Sequence, residues 1–152
     1  MKSCVIYKTF KDEYKIVTQS ETTAGYLLMV LPVFILSTNC TDEVLLSTII
    51  KALDNSVKNI KAPDRSEFPS VQKNLLSALK EKSFSKLYTD STSCEIRVQN
   101  NILTLYPNKL MTEGNPKDGL VWVKENKVVI EEYVSNLDIM VSKIHEALNH
   151  RY

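Results

Sequence analysis

His145 and His150 are the first side chains to weigh for chemistry, because a nucleophile–base pair would draw on one of the two histidines present. They stand five residues apart in a stretch of helical periodicity, about 140° apart around the helix, so they face different surroundings. Neither has an evident cysteine or serine partner, and both read as solvent-facing helix residues. Cys4, Cys40 and Cys94 are odd in number and far apart, which argues for a reducing compartment and against a disulfide framework. No CxxC pair occurs, and a zinc site would need a fourth ligand from only two histidines. The cysteines read as small, partly buried apolar residues. Glu131 and Glu132 are neighbours on an expected strand and point to opposite faces, so they are no close acid–base pair. Asp42 and Glu43 suit the start of a helix, where negative charge is favourable. No catalytic residue, cofactor or metal ligand can be nominated, and the chain is expected not to be an enzyme.

Binding surfaces are the next possibility. Between residues 58 and 86 the bases Lys58, Lys61, Arg65, Lys73, Lys80, Lys82 and Lys86 outnumber the acids Asp64, Glu67 and Glu81. A small nucleic-acid-binding module using this surface is one reading. No aromatic residues interleave as stacking platforms, however, and a solvated loop and helix face explain the charges as well. From Glu113 to Glu146 the balance reverses: Glu113, Asp118, Glu125, Glu131, Glu132, Asp138 and Glu146 stand against Lys117, Lys124, Lys127 and Lys143. An acidic surface beside Tyr106 and Trp122 suits a basic protein partner, with the aromatics as anchors and charge as steering. The competing reading covers Trp122 with a helix. Tyr106, Trp122, Glu125, Glu131 and Glu132 are therefore the candidate partner-binding residues.

The elements that must position these groups come from pattern. A chain of 152 residues with 43% apolar and 24% charged residues suits one globular domain, and a net charge of +1 predicts no general attraction to nucleic acid or membrane. Residues 3–9 and 14–19 read as strands with a turn at Lys11-Asp12-Glu13. The apolar run Tyr26 to Leu36 is broken by Pro32 and is too short for the roughly 20 residues of a membrane span; it reads as a strand interrupted by proline, or one leading into a loop. The amino terminus lacks a secretory pattern, so a soluble, cytoplasmic protein is expected. Thr41 or Asp42 caps a helix to about Ser56, with Leu46, Ile49, Ile50, Leu53 and Val57 on its inner face. Pro69 opens a second helix through Leu79, with a short separate turn at residues 83–88.

Two hairpins follow. An Asn100-Asn101 type I′ turn places Val98 opposite Leu103 and Ile96 opposite Leu105, all on one face. A turn near Glu125-Asn126 places Val123 opposite Val128 and Val121 opposite Ile130, with Asn108 to Gly119 as a loop between the hairpins. Ser135 and Asp138 approximate a capping box for a last helix striped by Leu137, Met140, Val141, Ile144, Ala147 and Leu148. The order β-β-β-α-α-β-β-β-β-α predicts an α+β fold, a largely antiparallel sheet of six or seven strands packed with three helices.

That order carries a resemblance. The helix ending Ala52-Leu53-Asp54-Asn55-Ser56, the Leu75-Leu76 helix leading into Lys82-Ser83-Phe84, the strand Ile102 to Pro107, the Gly114 to Trp122 segment and the Ala147-Leu148 helix together span about two thirds of the chain. In them the chain resembles the immunity proteins of bacterial contact-dependent growth inhibition, the CdiI family. The resemblance implies a cytosolic antidote that binds the C-terminal toxin domain of a large cell-surface effector, commonly a nuclease, and blocks its active site. Reversing Glu131 and Glu132 to lysine is then expected to slow association with the toxin domain in a salt-dependent way, read by stopped-flow mixing. Unchanged association at low salt would count against electrostatic steering.

Overall fold

The computed structural model describes residues 1–152. In chain order it runs β1 (Lys2–Thr9), β2 (Glu13–Glu21), β3 (Leu27–Ser37), α1 (Asp42–Asp54), α2 (Phe68–Leu79), α3 (Phe84–Thr89), β4 (Ser91–Gln99), β5 (Ile102–Thr112), β6 (Asn115–Trp122), β7 (Val128–Glu131) and α4 (Leu137–Leu148). The fold is α+β: seven antiparallel strands in the order β3-β2-β1-β4-β5-β6, with β7 also on β5, and four helices. The fourth helix beyond the expected three is α3, the short turn foreseen at residues 83–88, capped by Ser83 accepting from the Lys86 amide at 3.1 Å. No helix is long and apolar enough to cross a membrane.

The first hairpin forms in the register that its turn chemistry requires. Asn100 and Asn101 adopt φ of 53° and 59°, and Val98 pairs with Leu103 and Ile96 with Leu105. Register then propagates across the sheet, since Ile96 pairs with Cys4, Cys94 with Ile6, and Ile6 with Ile16. These residues, with Ile130 of β7, pack under Leu45, Ile49, Ala52 and Leu53 of α1 and Met140, Val141, Ile144 and Leu148 of α4 in one core cluster. The opposite face is covered at its other end, where Val5, Tyr7 and Val17 meet Leu75 and Leu79 of α2 and Leu87 of α3. Both faces of β1 and β2 are thus covered, and the polar residues these strands bury, among them Ser3, Lys15, Thr18 and Gln19, are each hydrogen-bonded.

The second hairpin is not as the pattern suggested. Strands β6 and β7 do not pair with each other; both pair with β5, end to end along its free edge, at Asn108↔Trp122 and Lys109↔Val121 for one and Leu103↔Ile130 and Leu105↔Val128 for the other. An eleven-residue strand has room for both, and alternation places Val128 and Ile130 on the core face with either partner. Val123 marks the step between them, its amide donating to the Pro107 carbonyl at 2.8 Å before the 3-10 turn Lys124–Asn126. The expected loop at 108–119 is mostly strand, because β5 continues to Thr112 and turns at Gly114 (φ 73°) into β6, where Pro116 sits at a sheet edge.

Three further expectations shift. β3 runs unbroken through Pro32, because a bulge opposite Val17 and Thr18 absorbs Leu31 and Pro32 on an edge strand. In α1 the buried apolar face is Leu45, Ile49, Ala52 and Leu53, with Val57 exposed beyond the helix end. Ser135 does not cap α4. It lies in a 3-10 turn at Tyr133–Ser135, and Asn136 at the cap position donates to the Glu131 and Glu132 carbonyls instead.

One ion pair joins the second layer to the sheet. Lys15 of β2, its side chain 4% exposed, reaches both the Leu79 carbonyl and Glu81 at 2.7 Å, where α2 ends on a left-handed Lys80. Glu81→Leu leaves a buried ammonium without its counter-charge and is expected to cost about 3–5 kcal/mol, most of it recovered in the Lys15→Met/Glu81→Leu double variant. Urea unfolding of the four-member cycle checks this. In the turn, Asn101→Val is expected to cost about 1–2 kcal/mol and Asn101→Gly nothing, because only the former strains a left-handed residue. Equal stability of those two variants would contradict the turn assignment.

Candidate functional site

The hairpin register that buries Ile96 and Leu105 places Glu95 opposite Tyr106 and Arg97 opposite Thr104 on the other face of the sheet. There Tyr106 and Trp122 stack, ring centroids 4.0 Å apart and planes 11° from parallel. The Arg97 guanidinium lies 4.3 Å from the Trp122 ring centroid, within cation–π range. Arg97 Nε donates to Glu95 at 2.8 Å, and the other Glu95 oxygen accepts from Gln19 Nε2 at 3.0 Å. Gln19 accepts in turn from the Ser3 hydroxyl, so a polar chain crosses β1, β2 and β4 and ends on the aromatic pair. Glu95 and Gln19 are buried, which makes these bonds worth more than at the surface and fixes the Arg97 side chain.

Tyr106, Trp122 and Arg97 are each half-buried, and neither aromatic belongs to either apolar cluster. Farther along the same face, Ile102 and Val129 are 39% and 51% exposed. Glu131 pairs with Ile102 and so shares the face of Tyr106, four residues along the sheet. Glu132 has left the strand with φ 48°, and Glu125 lies in the 3-10 turn beyond Trp122; both are exposed. Of the five candidate residues, the structure thus joins Tyr106 to Trp122, aligns Glu131 with them, and sets Glu125 and Glu132 at the margins. Beside Trp122 opens a groove of about 640 Å³ between β6, α3 and the start of β3, lined by Tyr7, Leu28, Met29, Tyr88 and Leu120. Arg97 and Glu95 escaped the search for charged runs because they are an isolated pair; the signal for them was the register of the first hairpin.

The other candidates stay apart. His145 pairs with Asp42 at 2.9 Å, tying α4 to the start of α1, while His150 lies past the helix end against Tyr152. Cys4 and Cys94 are buried free thiols whose pKa values burial pushes up, Cys94 far beyond the usual range, so neither is a ready nucleophile. Cys40 is half-buried, and burial raises it as well. No cluster of three or more histidine, cysteine or acidic side chains comes together to hold a metal. Lys58, Lys61, Arg65, Lys73, Lys80, Lys82 and Lys86 are exposed along the connector and the outer faces of α2 and α3, with Lys61 near Glu67 and Lys86 paired to Asp90.

No family model matches the chain. No curated protein matches it either. Among solved structures it is similar to a protein of unknown function from Neisseria meningitidis, with a TM-score of 0.72 and 18% identity over 100% of this chain and 96% of that one. It is also similar to a chain of the CdiA-CT/CdiI toxin and immunity complex from Yersinia pseudotuberculosis, with a TM-score of 0.70 and 17% identity over 99% of this chain and 97% of that one. The chain therefore has a CdiI-like fold.

Proposed function

We propose that this chain is an immunity protein that binds and neutralises the C-terminal toxin domain of a contact-dependent growth inhibition effector. The observation that carries the reading is the fold likeness to a chain of a toxin and immunity complex across nearly the whole of both chains. The order of segments from Thr41 onward supports the same family from sequence alone. The site is consistent with binding: a half-buried aromatic pair with an attached arginine beside a groove is the composition of a protein interface anchor. On this reading the protein acts by association in the cytoplasm and is not an enzyme. Its partner is a nuclease domain whose active site it occludes.

Co-expression supplies the test. On this reading the toxin domain is expected as the C-terminal domain of a large secreted protein encoded by an adjacent upstream reading frame, and it is produced from an inducible promoter with and without this chain. The expected result is growth arrest by the domain alone, rescue by the chain, and a 1:1 complex on size-exclusion chromatography. Toxicity undiminished by soluble chain, with no complex formed, would contradict the reading.

A further inference from the structure

We infer that Arg97 is an anchor that receives a carboxylate side chain from the toxin domain; this deepens the immunity reading and rests on it. A guanidinium has five N–H donors in a planar fork. Arg97 spends one, at Nε, on Glu95 at 2.8 Å, and its two terminal nitrogens donate to no group of the protein. The side chain is 28% exposed and stands between the buried neighbours Ile96 and Val98. Glu95 on one side and the Trp122 ring at 4.3 Å hold the guanidinium in place before any partner arrives. Little rotamer freedom then remains to be lost on binding, the condition under which an arginine at an interface contributes most.

The free edge of the fork presents parallel N–H groups, which match the two oxygens of a carboxylate. A phosphate would fit the same fork, but the surroundings favour protein. Glu95 and Glu131 share the face, Glu125 stands beyond Trp122, and the exposed Ile102 and Val129 lie along it. The acids bear on a carboxylate as they do on a phosphate, so the apolar pair decides: a protein surface can cover Ile102 and Val129, and a nucleic-acid backbone cannot. The basic residues between 58 and 86 lie on the connector, α2 and α3, away from these strands. The charge assignment also separates two roles: Glu131 and Glu132 at the margin bear on how fast a basic toxin approaches, while Arg97 bears on how slowly it leaves.

Two variants and one probe test this with the upstream-encoded toxin domain. Arg97→Lys keeps an ion pair with Glu95 but loses the fork, and Thr104→Glu puts a carboxylate of the protein's own directly opposite Arg97 to compete for it. Isothermal titration is expected to show each variant binding about 30-fold or more weaker than wild type, the loss typical of an interface anchor, with thermal melting unchanged in Arg97→Lys. Wild-type binding with both variants within about threefold of it would overturn the anchor and leave the immunity reading standing. No wild-type complex would overturn both. A gel shift of a roughly 20-nucleotide single-stranded oligouridylate that Arg97→Lys abolishes would overturn the carboxylate assignment in favour of phosphate.

Discussion

Everything on the sheet depends on the parity set by one two-residue turn. With Asn100 and Asn101 both left-handed, Ile96 and Leu105 must share a face, and the alternate residues Glu95, Arg97 and Tyr106 must share the other. One face is sealed by α1 and α4 into the larger core. The other is sealed over β1, β2 and β3, where Lys15 and Glu81 hold the end of α2 down, and α3 extends that cover to the start of β4 and to Leu120 of β6. The remaining part of that face, over β5 and β7, has no helix of its own. A slip by one residue would move the arginine and the aromatics into the core and the leucines into water, so the fold and the candidate site share a single determinant.

The same strand explains the shape of the site. β5 is long enough to serve two partners along one edge, β7 against its first half and β6 against its second. β6 is carried toward α3, opening the groove beside Trp122, and the stacked pair sits where the two halves of β5 meet. Each member of the polar chain from Ser3 to Arg97 comes from a different strand or a different position on β4, so its geometry is secured by sheet pairing and not by a mobile loop.

Local chemistry was legible in the sequence wherever it was self-contained. The Asn100-Asn101 turn, the Thr41 cap, Pro69 in the first turn of α2 and the α4 stripe all depend on near neighbours, and each is found in the structure. What could not be read was choice among equivalent partners. Val128 and Ile130 satisfy a hairpin with Val121 and Val123 as well as they satisfy the edge of β5, since alternation reports a face and not a neighbour. The capping box at Ser135 failed because a 3-10 turn claimed the residue first. Arg97 was hidden for a related reason: its environment comes from Glu95, Trp122 and the long route of β6, which no local window contains.

A CdiI-like fold with a half-buried arginine–tryptophan–tyrosine stack leads to one central claim, that the proposed toxin domain is met on this face. Trp122 is the single tryptophan, so 5-fluorotryptophan labelling of this chain alone gives one fluorine resonance at the site. Adding the unlabelled upstream-encoded domain should move that resonance to a new position, complete at one equivalent. A resonance unchanged when the complex is fully formed would place the contact elsewhere and contradict the account.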